Sequence, residues 1–98
     1  PWFYMEALGL CKEGEGAAFA RGGRLGPGGD APLNTHGGML SYCHTGAPGG
    51  TFHFIEMARQ LRGEAGARQI RDAELSIMQG YGANKGAFPV TIMKRGMP

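Results

Sequence analysis

The stretch Pro32 to Gly50 (Pro-Leu-Asn-Thr-His-Gly-Gly-Met-Leu-Ser-Tyr-Cys-His-Thr-Gly-Ala-Pro-Gly-Gly) crowds polar and nucleophilic side chains into a short span of this sequence. Asn34, His36, Ser41, Tyr42, Cys43 and His44 stand between glycine pairs, and glycine allows positive φ and close approach of backbone to a ligand. His44 lies just ahead of a glycine-rich turn that feeds a helix. A helix N-terminus has free N–H groups and a partial positive charge, suited to an anion or a developing oxyanion. An imidazole beside it can accept a proton from a nucleophile near neutral pH. The same position also fits an imidazole that only bonds a nearby backbone carbonyl. Tyr42 would share a face with His44 in an extended segment, where its phenol can donate a hydrogen bond or act as an acid. A packing tyrosine fits that position as well. Cys43 is next to His44, but neighbours point different ways, so activation of its thiol needs contact in space.

Several chemistries are excluded. His36 and His44 match no common zinc spacing, and the chain has only two cysteines, so no metal site is expected. Gly46-Ala-Pro-Gly-Gly50 lacks the Lys and Ser/Thr of a phosphate-binding loop. Ten Lys and Arg against eight Asp and Glu give a net charge of +2 with the basic residues scattered, which disfavours a nucleic-acid surface. No apolar run approaches the ~20 residues of a membrane span. The 19 glycines, roughly three times ordinary usage, follow no Gly-X-Y period, which excludes collagen. Cys11 reads as a small buried hydrophobe, and two thiols in such a chain point to the reducing cytoplasm.

The elements that must position these residues follow from periodicity. Phe3, Ala7, Leu8 and Cys11 have helical spacing, with Gly14 as the stop. Residues 21–31 form a surface loop rich in turn residues. Thr51 to Arg62 is the clearest helix, with Phe54, Ile55, Ala58 and Leu61 as its buried stripe and Glu56, Arg59, Gln60 and Arg62 outside. His53, off that stripe, reads as structural. Gly63 and Gly66 end the helix. Glu74 to Gln79 and Ala87 to Lys94 are strands, the second with Phe88, Val90 and Ile92 on one face and Pro89 near its start. So little core is available to a glycine-rich chain of 98 residues that it reads as a segment of a larger protein, with sequence expected before Pro1.

Asn34-Thr-His-Gly-Gly-Met-Leu-Ser-Tyr-Cys-His44, then Gly46, then Gly49-Gly50 and a helix, resembles the C-terminal half of the thiolase superfamily. Thiolases carry Asn-x-x-Gly-Gly, five residues, then the histidine of a Gly-His-Pro-x-Gly motif. Five residues separate Gly38 from His44, with Cys43 at the glycine and Thr45 at the proline. Residues 6–16 (Glu-Ala-Leu-Gly-Leu-Cys-Lys-Glu-Gly-Glu-Gly) are similar to the lipid-transfer, sterol-carrier-protein-X-like branch. The match covers nearly the whole chain.

The resemblance implies an α/β fold over residues 1–98: part of a thiolase-like C-terminal domain, with helices covering a mixed β-sheet. It makes His44 the partner of a nucleophilic cysteine supplied by the N-terminal half. It also places Met78-Gln79-Gly80 at a Cys-x-Gly acid/base loop, with methionine for cysteine. A thioether has no proton to give, so ordinary acetyl-CoA condensation is disfavoured. Relatives without the thiolase cysteines include aldolases that cleave sterol-side-chain acyl-CoA thioesters with tyrosines and an OB-fold partner protein. On that pattern the catalytic residues are His44, Tyr42 and Tyr81, with loop N–H groups at Gly80 and Gly82 holding the oxyanion and Asn34, His36 and Cys43 near the substrate. Coenzyme A enters only as part of the acyl-CoA thioester, with no separate cofactor, and the full chain would be a homodimer. The resemblance thus implies an enzyme that makes or breaks carbon–carbon bonds in acyl-CoA thioesters, with a thiolase-like acyltransferase of altered chemistry and an aldolase both open. Alternatives are a non-catalytic acyl-CoA or lipid carrier, and a structural subunit of a heteromeric enzyme.

Overall fold

The structure, a computed structural model, describes residues 2–42, 44, 46, 49–82 and 86–96. They fall into two compact units, residues 1–33 and 34–98.

The first unit is built around α1 (Trp2–Ala7) and α2 (Gly16–Phe19). α1 stops at Gly9 rather than running on to Gly14. There the N–H of Leu10 reaches the Met5 carbonyl and that of Gly9 reaches Glu6, the paired bonds that close a helix on a left-handed residue. Met5 is buried, whereas Phe3 is exposed and Cys11 half-buried, so the expected stripe is not the covered one. Glu6 accepts a hydrogen bond from the Gly16 N–H at 2.8 Å and ties α1 to α2. The loop 21–31 is a run of turns held by its own contacts. Arg24 pairs with Asp30 at 3.1 Å and lies over the Phe19 ring, and Ala31 and Leu33 donate back to Arg24 and Leu25.

The second unit contains α3 (Gly38–Tyr42), α4 (Gly49–Arg62), a 3-10 turn (Gly66–Arg68) and strands β1 (Leu75–Gln79) and β2 (Val90–Lys94). The fold is α/β, with β1 and β2 antiparallel and Ile77 opposite Ile92. Pro89 sits just before β2, where its missing N–H costs no ladder bond. α4 packs on both strands, as its spacing predicts. Its covered face is rotated from the expected stripe. Met57 and Leu61 are buried together with Glu56 and Gln60, while Phe54 and Ile55 are 38% and 44% exposed. The polar pair goes inside because it binds the segment after the helix, described below. Gly63, with φ 74, ends α4, and Arg59 and Arg62 occupy its last turn, where cations suit the dipole.

The sheet has two apolar faces. Met78 and Met93 are half-buried on the face toward α4, and Met93 lines a shallow cleft together with Ala58 and Leu61 of that helix. Leu75, Ile77, Val90 and Ile92 line the opposite face, which among the described residues is open to solvent. Among the described residues no helix is long and apolar enough to cross a membrane.

Candidate active site

The segment ahead of α4 is shaped by a tight turn. Asn34 and Gly37 both take positive φ, and the Gly37 N–H donates to the Asn34 carbonyl at 2.7 Å. A side chain at Gly37 would collide with Ser41, and one at Gly38 would crowd the Asn34 amide. The adjacent glycines therefore let the turn run directly into α3.

Thr35 anchors this turn to α4: its hydroxyl donates to Glu56 Oε1 at 2.7 Å. Glu56 is the hub of a larger clip. Arg68 Nε and Nη2 grip both carboxylate oxygens at 2.9–3.0 Å, and Gln60 Nε2 adds a bond of 2.9 Å. Gln60 also binds the Arg68 carbonyl and the Ile70 N–H, and Gln69 binds the Ala65 N–H and the Gln60 carbonyl. Burial alone would raise the Glu56 carboxyl. The bonds from Arg68, Thr35 and Gln60 outweigh it and hold the pKa at about 2. Its bonds to Glu56 push the Arg68 guanidinium further toward its charged form.

On this anchored turn, His36 points to the first half of α4. Its Nε2 lies 3.1 Å from His53 Nδ1, and the rings meet edge to face. Tyr42 closes the cluster, its ring 5.2 Å from that of His36 and 5.4 Å from Phe52. Burial lowers the His36 pKa, and neighbouring His53 lowers it further; Glu56 pulls it up and Arg68 opposes that pull. His36 is thereby kept neutral near physiological pH.

His44 follows this cluster and is exposed. Its Nδ1 accepts the Gly46 N–H at 3.1 Å, so in the neutral ring the proton sits on Nε2. The free nitrogen is then a donor, suited to an oxygen that gains negative charge.

The sequence-derived candidates therefore separate. His36 and Tyr42 come together, and Asn34 supports them through the turn. Tyr42 ends the helix α3 rather than standing in the extended segment expected for it. Cys43 lies outside the described residues. Tyr81, exposed just beyond β1, takes no part in the ring contacts of the His36 cluster, while Met78 lies on the strand face toward α4. The Gly80 and Gly82 N–H groups are spent on the hairpin, donating to Pro89 and Ala87 at 2.9 Å. This corrects their assignment as free oxyanion donors. His53, Thr35, Glu56 and Arg68 were not among the candidates. The i, i+4 pair Glu56 and Gln60 facing an Arg-Gln pair after the helix was the one available signal. Among the described residues no group of three or more His, Cys, Asp or Glu stands at metal-ligand spacing.

The family described as thiolase C-terminal domain-like matches residues 1–95. Human "Sterol carrier protein 2" is 41% identical over 93 residues, which is 95% of this chain and 17% of that protein. "Acetyl-CoA acetyltransferase" of Methanothermobacter thermautotrophicus is 35% identical over 91 residues, 93% of this chain and 24% of that protein. "Non-specific lipid-transfer protein-like 2" of Caenorhabditis elegans is 31% identical over 93 residues, 95% of this chain and 22% of that protein. This chain thus spans a quarter or less of each of these relatives. With the family match running from the first helix through the last strand, the chain belongs to the thiolase superfamily as part of its C-terminal domain.

Proposed function

We propose that the full-length protein makes or breaks carbon–carbon bonds in acyl-CoA thioesters, and that this segment supplies His44, Tyr42 and Tyr81 to the reaction. The observation that carries this reading is His44: an exposed imidazole at the position of the family's motif histidine, held by the Gly46 N–H so that Nε2 is its free donor. The name of one relative, an acetyl-CoA acetyltransferase, supports an acyl-CoA thioester as the substrate class.

Within that class, cleavage of a β-hydroxyacyl-CoA suits these residues best, because no cysteine stands between Glu74 and Gly82. A tyrosine takes the β-hydroxyl proton, and the bond between the α and β carbons breaks. Its electron pair passes into the thioester enolate, whose oxygen His44 Nε2–H stabilises. Protonation of the α carbon then releases the shortened acyl-CoA and a ketone or aldehyde. The full chain works as a homodimer, with an OB-fold partner protein as its expected companion. Replacing His44 by Ala in the full-length protein is expected to lower kcat by about 10²–10³-fold, the usual effect of losing an oxyanion donor. Unchanged kcat removes His44 from the chemistry.

A second reading is a non-catalytic acyl-CoA or lipid carrier, favoured by the sterol-carrier and lipid-transfer names of two relatives. It predicts saturable acyl-CoA binding that His44→Ala leaves in place, with no product formed.

A further inference from the structure

His36 and His53 touch through single nitrogens, Nε2 and Nδ1, at 3.1 Å. Such a contact holds only while one nitrogen carries a proton and the other a lone pair. His36 Nδ1 is buried and has no partner among the described residues. A buried, unpaired N–H is rarer and costlier than an under-used acceptor. The stable tautomer therefore leaves Nδ1 of His36 bare, and its Nε2–H donates to His53. Both rings are half-buried, and the His36 ring lies directly against Tyr42, whose other neighbour is Phe52.

We propose that His53 is a positioning residue for Tyr42: it fixes the tautomer and ring plane of His36, and His36 together with Phe52 brackets the phenol. This inference rests on the reading that Tyr42 serves the acyl-CoA reaction.

The pair also limits how many protons the site can hold. One extra proton can be carried as an imidazolium donating to its neutral partner. With both rings protonated, two N–H groups face each other and the contact opens. The charges around the pair are Glu56, farther along α4, which favours protonation, and Arg68 on the 3-10 turn, which opposes it. The Tyr42 ring on α3 lies against that of His36. Acid conditions therefore release His36, and with it one wall of the Tyr42 site.

The test uses the full-length protein with a β-hydroxyacyl-CoA as probe. His53→Phe keeps an aromatic ring in the space but removes the bonding nitrogen. His53→Asn keeps an acceptor close to the Nδ1 position and does not titrate. His53→Phe is expected to lower kcat by about 10–100-fold with KM little changed, as for misplaced reacting groups. His53→Asn should restore most of the rate and flatten the acid side of the pH profile. A His53→Phe protein with the wild-type kcat and pH profile overturns the proposal. If the wild type turns over no acyl-CoA thioester, the functional reading fails, and the pair is judged by NMR of isotope-labelled histidine. A His36 ring that keeps Nδ1 unprotonated in the wild type and changes tautomer in His53→Phe supports the pairing. Identical His36 signals in both proteins overturn it.

Discussion

Glu56 accepts hydrogen bonds from Thr35, Gln60 and Arg68 at once, and this one carboxylate joins the turn ahead of α3 to α4 and to the segment beyond it. Its carboxyl is held at about 2, below the ordinary 4.5. A depressed carboxyl contributes stability that is fully present above the unfolded pKa and is lost as pH falls through the folded one. The contribution of Glu56 is therefore expected to vanish between about pH 4.5 and pH 2. His36 has the opposite chemistry and the same direction: a lowered imidazole binds its proton more readily when unfolded, so stability also falls as pH drops below its ordinary value of 6.5. Glu56→Ala should destabilise the full-length protein by about 3 kcal/mol, the low end for breaking a buried pair because Arg68 is a third exposed. Chemical denaturation at neutral pH measures this. A loss below about 0.5 kcal/mol, the scale of a surface substitution, contradicts the role of the clip. Tyr42→Phe and Tyr81→Phe, assayed separately, identify which phenol carries the proton: the variant that loses about 10²-fold or more in kcat marks it. His44 and Tyr42 were legible as reactive residue types beside a helix start. Glu56 was not, because a charged residue on a helix reads as solvent-facing until its partner, 12 residues away, is known.

At the scale of elements, the turn into α3 is the most demanding piece of backbone. Gly37→Ala combines a positive φ with a collision against Ser41. It should cost well over the ~1 kcal/mol of a strained left-handed position alone. The same substitution should lower kcat more than it raises KM, because Asn34, Thr35 and His36 shift together. Gly22→Ala, also at positive φ but with open space around it, is the control and should cost only about 1 kcal/mol. Equal effects from both substitutions contradict the packing argument. The existence of α4 and of both strands was legible from their spacing, as was the shared face of Val90 and Ile92, although the second strand starts at Val90 rather than Ala87 and leaves Phe88 outside it. Which face is covered was not. Alternation finds the two faces of a strand but cannot rank them when methionines fill one and branched residues the other. The rotation of α4 escaped for the same reason that hid Glu56: its buried polar residues depend on bonds made elsewhere in the chain.

At the scale of the molecule, Met5, Met57, Leu61 and Ala65 are the only buried apolar residues among those described, and none of the described side chains is completely enclosed. Leu75, Ile77, Val90 and Ile92 form a continuous apolar face of a kind that soluble chains cover. The relatives extend far beyond the matched stretch, so the expected cover is the rest of the same polypeptide. Residues 1–98 alone should unfold without a sharp transition and bind hydrophobic dyes, whereas the full-length protein should do neither. A cooperative calorimetric transition for the segment alone contradicts this. Ile92→Asp makes the same point in the full-length protein: on a covered face it destabilises strongly, and on a free surface it changes stability by about 0.5 kcal/mol or less. The small core was readable from glycine content, which dilutes the side chains available for burial. The family was readable from the spacing of Gly37-Gly38 and His44.

Action of the full-length protein on the carbon skeleton of acyl-CoA thioesters is read out by mass spectrometry of a β-hydroxyacyl-CoA incubated with it, with and without an OB-fold partner protein. The predicted result is a shortened acyl-CoA and an equimolar ketone or aldehyde, both lost in His44→Ala. Saturable binding with the thioester returned intact under every condition contradicts such action and leaves a carrier.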